Sequence, residues 1–339
     1  MTSENSRAQT EQIEDWFDTQ GLPYFAGDHA EDVEEWLASW RIVSVLVLIL
    51  LISGGAGFLV GDRVNDGSTG AITGVVVFFI ILGGFAGSFL RMGTMLRWAL
   101  RRTFGSLGLL IPLLTRALPL LLLAVTFLFI NAEVWQVAAL MSRSVLWLSV
   151  AFFGGFGMLF LLARLPEEVR AVEENVVGER IGEACQGTPA ASAAVRLGGR
   201  AAPLPRFARF NLVLMMLFSQ AIQVLLLSAG LFAFFMAFGA LTIPDSTIQA
   251  WTGQAVSSLP SAIGRTLPVT NDLFQVSVFL AAFSGLYFTV SAVTDENYRR
   301  QFFSGLAAQL ERAIAVHTVY QALLAENRDD YAGPSDEIS

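Results

Sequence analysis

Six apolar stretches, most of them about 20 residues long or longer, constrain this chain more than any other feature of its sequence. They run over residues 42–60, 71–90, 118–141, 145–163, 211–241 and 273–293. A helix needs about 20 apolar residues to cross a hydrocarbon core roughly 30 Å thick. The composition agrees, because 54% of the residues are hydrophobic and only 15% are charged. The sequence therefore predicts an all-α, polytopic membrane protein with six transmembrane helices.

Arginines cluster in alternate loops, and this pattern predicts the orientation of the chain. The arginine-rich loops follow the second, fourth and sixth stretches and contain Arg91, Arg97, Arg101, Arg102, Arg164, Arg170, Arg180, Arg196, Arg200, Arg206, Arg209, Arg299, Arg300, Arg312 and Arg328. The loops on the other side contain only Arg63, Arg143 and Arg265. Because loops rich in arginine stay in the cytoplasm, we predict a multi-pass protein of the cell membrane with both termini cytoplasmic.

The remaining segments complete the predicted organisation. An acidic, amphipathic N-terminal segment covers residues 1–41, with ten acidic side chains and one basic side chain in its first 40 residues. The transmembrane domain covers residues 42–293 and includes cytoplasmic loops at 91–117 and 164–210 and an outer loop at 242–272. An amphipathic cytoplasmic helix at 294–326 and a disordered tail at 327–339 follow it.

Both terminal segments repeat apolar side chains at helical spacing. In the N-terminal segment these include Ile13, Trp16 and Phe17, and we expect this helix to pack on the arginine-rich loops, with a solvated face as the alternative. In the C-terminal helix the repeat forms a three-four seam of Phe303, Leu306, Leu310, Ala313, His317, Tyr320 and Leu324. The seam either joins copies in a homo-oligomer or packs on the protein's own cytoplasmic loops.

Several functional classes are disfavoured by composition. The chain has no lysine, which excludes a Walker phosphate loop and Schiff-base chemistry. A single cysteine, Cys185, excludes an internal disulfide, and both histidines lie outside the apolar stretches, so a metal or haem centre within the membrane has no obvious ligands. The net charge of -8 leaves no basic face for nucleic acid. We therefore expect no cofactor, no metal and no enzymatic activity.

Small residues at four-residue spacing mark the first two apolar stretches. Gly57 and Gly61 lie in or beside the first, and Gly83 and Gly87 lie in the second. Such spacing lets helix backbones approach closely in a membrane, so it favours a tightly packed hairpin. The alternative is the generally higher glycine content of membrane helices.

The third apolar stretch carries the polar residues that most need an explanation. Arg116 stands at one end, and Glu133 and Gln136 interrupt the other. Either residues 105–115 lie at the inner interface and Arg116 extends to it, or the helix begins near Phe104 and buries Arg116. We favour the first, because it leaves a short turn at 142–144 before the next helix. On a straight helix Thr126, Glu133 and Gln136 share one face.

This face predicts a transport pathway. A carboxylate and an amide in the outer third of a helix could hold a cation or a proton; otherwise Glu133 reaches water or pairs with Arg143. Gln220 and Gln223 on the fifth stretch and Ser284 on the sixth add polar groups, although such residues also hold helices together. The sequence thus favours an oligomeric channel or transporter for an ion or small solute, and the alternative is a scaffold or regulator acting through its cytoplasmic helices.

Two segments resemble known membrane proteins. They are Trp16-Phe17 with Gly21-Leu22-Pro23-Tyr24-Phe25, and Arg116-Ala117-Leu118-Pro119 leading to Asn131-Ala132-Glu133-Val134-Trp135-Gln136-Val137. They resemble segments of integral membrane proteins from high-GC Gram-positive bacteria, a family with no known activity, and cover about a fifth of the chain. The resemblance implies a bacterial plasma membrane and no particular substrate.

Overall fold

The protein is almost entirely helical in a computed structural model. This structure describes residues 3–25, 40–89, 92–105, 122–176, 178–197, 204–257, 269–294 and 296–331, and these ranges contain no β-strand. The helices are α1 (Ser3–Thr19), α2 (Trp40–Val64), α3 (Gly67–Phe89), α4 (Met92–Gly105), α5 (Leu122–Phe129), α6 (Ala132–Ala139), α7 (Arg143–Asn175), α8 (Glu179–Ala184), α9 (Ala191–Leu197), α10 (Arg206–Thr242), α11 (Asp245–Thr252), α12 (Asn271–Thr294) and α13 (Glu296–Tyr331). The predicted all-α class is therefore confirmed.

Five of these helices are long and apolar enough to cross a membrane: α2, α3, α7, α10 and α12. Within the described ranges, a sixth crossing exists only if the bent pair of α5 and α6 counts as one span. Large apolar side chains such as Leu50, Phe79 and Ile80 are exposed on these helices. Exposed apolar surface of this extent is unfavourable in water and suits contact with lipid, so the helices mark a membrane protein.

The third apolar stretch does not form the predicted straight helix over 118–141. Over its described part it consists of α5 and α6, which meet at an angle of 74°. Asn131 causes the break, because its side chain accepts a hydrogen bond of 2.8 Å from the Glu133 amide and so begins a new helix. The Trp135 indole then donates to the Phe129 carbonyl at the end of α5, over 2.6 Å.

Three helices, α7, α10 and α12, pack together as the centre of the molecule. α12 runs parallel to α7, since Arg143 meets Asn271 and Gly157 lies beside Thr289. It runs antiparallel to α10, where a Cβ at Gly285 would strike Ser228 and one at Gly239 would strike Leu273. We call the end of the bundle where α7 ends and α10 begins the arginine-rich end. We call the end where α10 ends and α12 begins the opposite end.

At the opposite end, α6 and α11 pack on the bundle. The Trp135 and Trp251 rings lie 5.6 Å apart, and Phe129 of α5 stacks on Phe235 of α10 at 4.9 Å. The predicted outer loop at 242–272 therefore begins with a packed helix, α11. Residues 258–268 of this loop lie outside the described residues.

The hairpin of α2 and α3 depends on glycines, although not on all those predicted. A Cβ at Gly57 would lie 2.7 Å from the Gly70 carbonyl oxygen, and one at Gly61 would lie 3.1 Å from the Gly70 Cα. By contrast, a Cβ at Gly83 or Gly87 would meet no atom of the described chain within 4 Å. The close contact is therefore at the Gly70 end of α3, and the expectation that Gly83 and Gly87 form it is wrong.

At the arginine-rich end, α13 packs against α1, α8, α9 and the ends of α7, α10 and α12. The seam residues Leu310, Ala313, His317 and Tyr320 are buried within the chain, so over its described part the seam packs on the protein's own helices. α1 packs on α13 and also reaches the 164–210 segment, because Gln9 donates to the Pro189 carbonyl. α13 continues to Tyr331, which makes 327–331 helical rather than part of a disordered tail.

We expect Gly57→Val to destabilise the α2–α3 hairpin by roughly 1–3 kcal/mol, because the new side chain would collide with the α3 backbone. Gly54→Val is the matched control, since Gly54 lies on the same helix and a Cβ there meets nothing within 4 Å. Unfolding of the purified protein in mixed micelles with increasing SDS measures the difference. Equal midpoints for the two variants would contradict the proposed contact.

Candidate functional site

The residues predicted to line a transport pathway lie in separate places. Glu133 and Gln136 are exposed on α6, whereas Thr126 is half-buried on α5, on the other side of the 74° bend. The three side chains therefore do not share one helical face, which corrects the prediction. Glu133 occupies the first turn of α6, where a carboxylate is favoured by the helix dipole. Arg116 lies outside the described residues.

The residues predicted to line the pathway on α10 do not meet Ser284 on α12. Gln220 and Ser284 are fully buried and Gln223 is half-buried. Ser284 donates to the Leu280 carbonyl of its own helix at 2.6 Å. Since Gly285 lies against Ser228, Gln220 lies eight residues, or about 12 Å, nearer the arginine-rich end than Ser284. Ser284 is therefore satisfied within its own helix, and Gln220 lies too far away to meet it.

A polar cluster that the sequence analysis missed joins α6, α7 and α12 at the opposite end. Gln275 is buried and donates to the Met141 carbonyl at 2.7 Å and to the Ala138 carbonyl at 3.3 Å. It accepts a hydrogen bond of 2.8 Å from Asn271, which in turn accepts one from Arg143. The Arg143 guanidinium also lies 4.7 Å from the centre of the Phe274 ring. The four-residue spacing of Asn271 and Gln275 in the sequence was the signal that could have predicted this cluster.

This cluster explains how the short helix α6 ends in an apolar setting. The last carbonyls of any helix lack partners within it, and here Gln275 donates to one of them, that of Ala138, and to the Met141 carbonyl two residues beyond the helix. Arg143 orients Asn271 and thereby Gln275. The arrangement stabilises the junction of three helices and leaves Arg143 bonded to Asn271 rather than to Glu133.

We expect Gln275→Leu to lower the free energy of unfolding by roughly 1–3 kcal/mol, because the buried Ala138 carbonyl and the half-buried Met141 carbonyl lose their donor. Gln136→Leu makes the same chemical change at an exposed position of α6 and should have little effect. SDS-induced unfolding of both variants gives the comparison. A Gln275→Leu protein as stable as wild type would show that the cluster does not hold the junction.

A second cluster lies at the arginine-rich end and is aromatic. His317 and Tyr320 of α13 meet Phe17 of α1 and Phe25, which follows it. The ring centres of Phe25 and His317 are 5.2 Å apart and those of Phe17 and Tyr320 are 5.8 Å apart. The Tyr320 hydroxyl donates to Glu14 at 2.7 Å. These contacts fix α1 on α13.

The loop after α1 anchors the same cluster to the membrane helices. Asn211 of α10 donates to the Gly21 carbonyl at 3.2 Å. Gly21 has a φ of 75°, which favours glycine, and a Cβ there would lie 3.2 Å from the Cβ of Trp98 on α4. The aromatic cluster is therefore continuous with the middle of α4 and the start of α10.

His317 is the buried titratable group of this cluster. Burial lowers the pKa of His317 from 6.5 to about 4, and the nearby Phe25 backbone slightly opposes the shift. Neither ring nitrogen has a well-aligned hydrogen-bond partner among the described residues. The ring is therefore neutral at pH 7, and protonation is coupled to opening of the cluster.

The face of α1 that points away from α13 is acidic and exposed. Glu11, Asp15 and Asp18 lie at i, i+4 and i+7, so they share one side of the helix. The buried side carries Ile13 and Phe17. Packing on α13 thus holds three carboxylates in fixed positions towards solvent.

Other chemistry in the described part of the chain is limited. No group of three or more histidine, cysteine, aspartate or glutamate residues there could hold a metal ion. Cys185 is buried, and burial raises the pKa of its thiol to about 11, so the thiol is protonated and unreactive at pH 7.

The pKa of His317 predicts that α1 loosens in acid. Because the folded pKa lies below the unfolded value of 6.5, the unfolded state binds the proton more readily and stability falls as the pH drops from about 6.5 to about 4. The full loss in the free energy of unfolding is about 3 kcal/mol, at 1.36 kcal/mol per pKa unit. Hydrogen exchange of the α1 amides, corrected for the intrinsic rate, should therefore accelerate at pH 5.

His317→Phe is the control for this pH dependence. The variant keeps an aromatic ring but cannot take up a proton, so its α1 exchange should change less between pH 7 and pH 5. Glu11, Glu14, Asp15 and Asp18 are present in both proteins, so any contribution from them cancels in the comparison. The same acceleration in both proteins would assign the effect to groups other than His317.

Comparison of the chain with protein-family models, with curated proteins and with solved structures gives no match.

Proposed function

We propose that this membrane protein is a scaffold or regulator that acts through the helices at its arginine-rich end, without catalysis. In this proposal both termini lie in the cytoplasm of a bacterial cell, and the apolar helices hold the protein in the plasma membrane. The acidic face of α1, formed by Glu11, Asp15 and Asp18, recruits a partner with a basic surface. The fixed placement of this face is the observation that carries the proposal.

The packing of α1 supports this assignment. An acidic, polar segment by itself tends to stay disordered, because it cannot bury enough apolar surface to offset its loss of entropy. Here Phe17, Phe25, Tyr320 and the Tyr320–Glu14 hydrogen bond hold it against α13. A preorganised face loses less entropy on binding than a disordered one.

The distribution of polar residues in the membrane helices also favours this function over transport. Glu133 and Gln136 are exposed on α6, and Gln220 and Ser284 are separated by about 12 Å along the helix axes. Within the described residues these groups form no continuous polar surface along the bundle.

Transport of an ion or small solute is the second candidate. Gln220 and Ser284 are fully buried in membrane helices, where polar side chains are costly unless they are satisfied or used. A homo-oligomer joined through its transmembrane helices would be needed to bring such groups around a common axis.

Charge reversal tests the scaffold proposal. We expect Glu11→Arg, Asp15→Arg and Asp18→Arg, combined, to lower proximity labelling of cytoplasmic partners about tenfold, because three exposed ion pairs contribute roughly 0.2–1 kcal/mol each. The matched control reverses Glu174, Glu179 and Glu183, which are also exposed acidic residues beside the same bundle. Labelling is compared in cells with equal amounts of membrane-inserted protein.

Two results would count against the proposal. One is an identical set of labelled partners for the wild type and the α1 charge reversal. The other is a flux of protons, monovalent cations or small solutes into vesicles that contain the protein, if Gln220→Leu or Glu133→Ala abolishes that flux. We expect flux no greater than that of empty vesicles.

A further inference from the structure

An apolar groove of about 430 Å³ lies between the three central helices. α7 contributes Gly154 and Met158, α10 contributes Leu225 and Ala229, and Ala282 and Gly285 of α12 also line it. Glycine and alanine at these positions leave room where larger side chains would fill the space between helices. The groove is independent of the acidic face on α1.

The depth of the groove matches one leaflet of a bilayer. Its wall on α7 extends from Val150 to Leu161, a rise of about 16 Å at 1.5 Å per residue, which is about half of the roughly 30 Å hydrocarbon core. Three residues after Leu161, Arg164 pairs with Glu167 and Glu168. This ion-paired cluster marks the polar boundary, so the groove extends from the arginine-rich end to the middle of the membrane or slightly beyond.

The chemistry of the groove excludes a polar occupant. Its lining is almost wholly apolar; the two polar side chains in it are Ser228 and Thr289, and the Thr289 hydroxyl donates to the Gly285 carbonyl at 2.8 Å. An apolar cavity of this kind does not retain water. The groove also opens sideways, since 67% of the Leu225 surface is exposed at its edge. Its occupant therefore enters from the hydrocarbon region of the membrane.

We propose that this groove binds one acyl chain of a phospholipid from the leaflet at the arginine-rich end. The length favours an acyl chain over a helix of a second copy. A transmembrane helix would run the full thickness of the bilayer and match the groove over only half its length. A single chain anchored at the boundary near Arg164 ends near the middle of the membrane, where the groove ends.

Two neighbouring glycines give a sharp test. Gly154 lines the groove and Gly155 does not, yet a Cβ at either position meets no atom within 4 Å. Gly154→Leu should fill the groove, whereas Gly155→Leu adds the same side chain outside it. Native mass spectrometry of protein purified in mild detergent counts the phospholipids that remain bound.

We expect wild type and Gly155→Leu to retain one phospholipid per chain and Gly154→Leu to retain about tenfold less. The factor corresponds to about 1.4 kcal/mol, lost as van der Waals contacts between the acyl chain and the groove wall. Ala229→Leu fills the same groove from α10 and should give the same loss, which keeps the test decisive if Gly154→Leu fails to fold. Far-ultraviolet circular dichroism identifies the folded variants.

Photocrosslinking identifies the occupant directly. A phospholipid with a diazirine in the middle of one acyl chain should label peptides containing residues 150–161 and 221–232 of the wild-type protein, with reduced labelling in Gly154→Leu. Three outcomes would overturn the proposal: no retained phospholipid, equal retention in all variants, or crosslinks between the groove residues of two copies in place of lipid.

Discussion

The need to satisfy backbone N–H and C=O groups within an apolar medium governs this structure. Inside a long helix each group is paired along the chain, which is why α7, α10 and α12 can cross the membrane without help from neighbours. The need reappears wherever a helix ends. Asn131 supplies an acceptor at the start of α6, and Gln275 supplies donors at its end. Asn131 and Gln275 therefore lie where the backbone requires a polar partner.

Close approach between helices is the second consequence of the apolar setting. Without a hydrophobic drive between helices in lipid, contact depends on packing of small residues. Gly57 and Gly61 meet the start of α3 at Gly70, and Gly285 admits Ser228 of α10. Gly154 lies on the same bundle but makes no such contact. The same residue type thus closes one interface and leaves another open, which is how the groove arises.

The sequence predicted the helical class and the positions of the long helices, because a run of about 20 apolar residues has few other stable forms. It did not predict the bend at Asn131, where one side chain overrides the apolar character of the surrounding run. Nor could it show that Gly57 meets Gly70 rather than Gly83, since spacing identifies a helix face but not its partner. The groove depends on α7, α10 and α12 together, and no local pattern encodes it.

The two ends of the bundle are held by different interactions, and this difference has a functional consequence. At the opposite end, Gln275 and Asn271 bond to the backbone and to Arg143, and such hydrogen bonds do not depend on the protonation of histidine. At the arginine-rich end, α1 is held mainly by aromatic packing around the neutral His317. We therefore expect acid to weaken the attachment of α1 while the membrane helices remain assembled. In a scaffold this arrangement would release the acidic face without unfolding the part that anchors it.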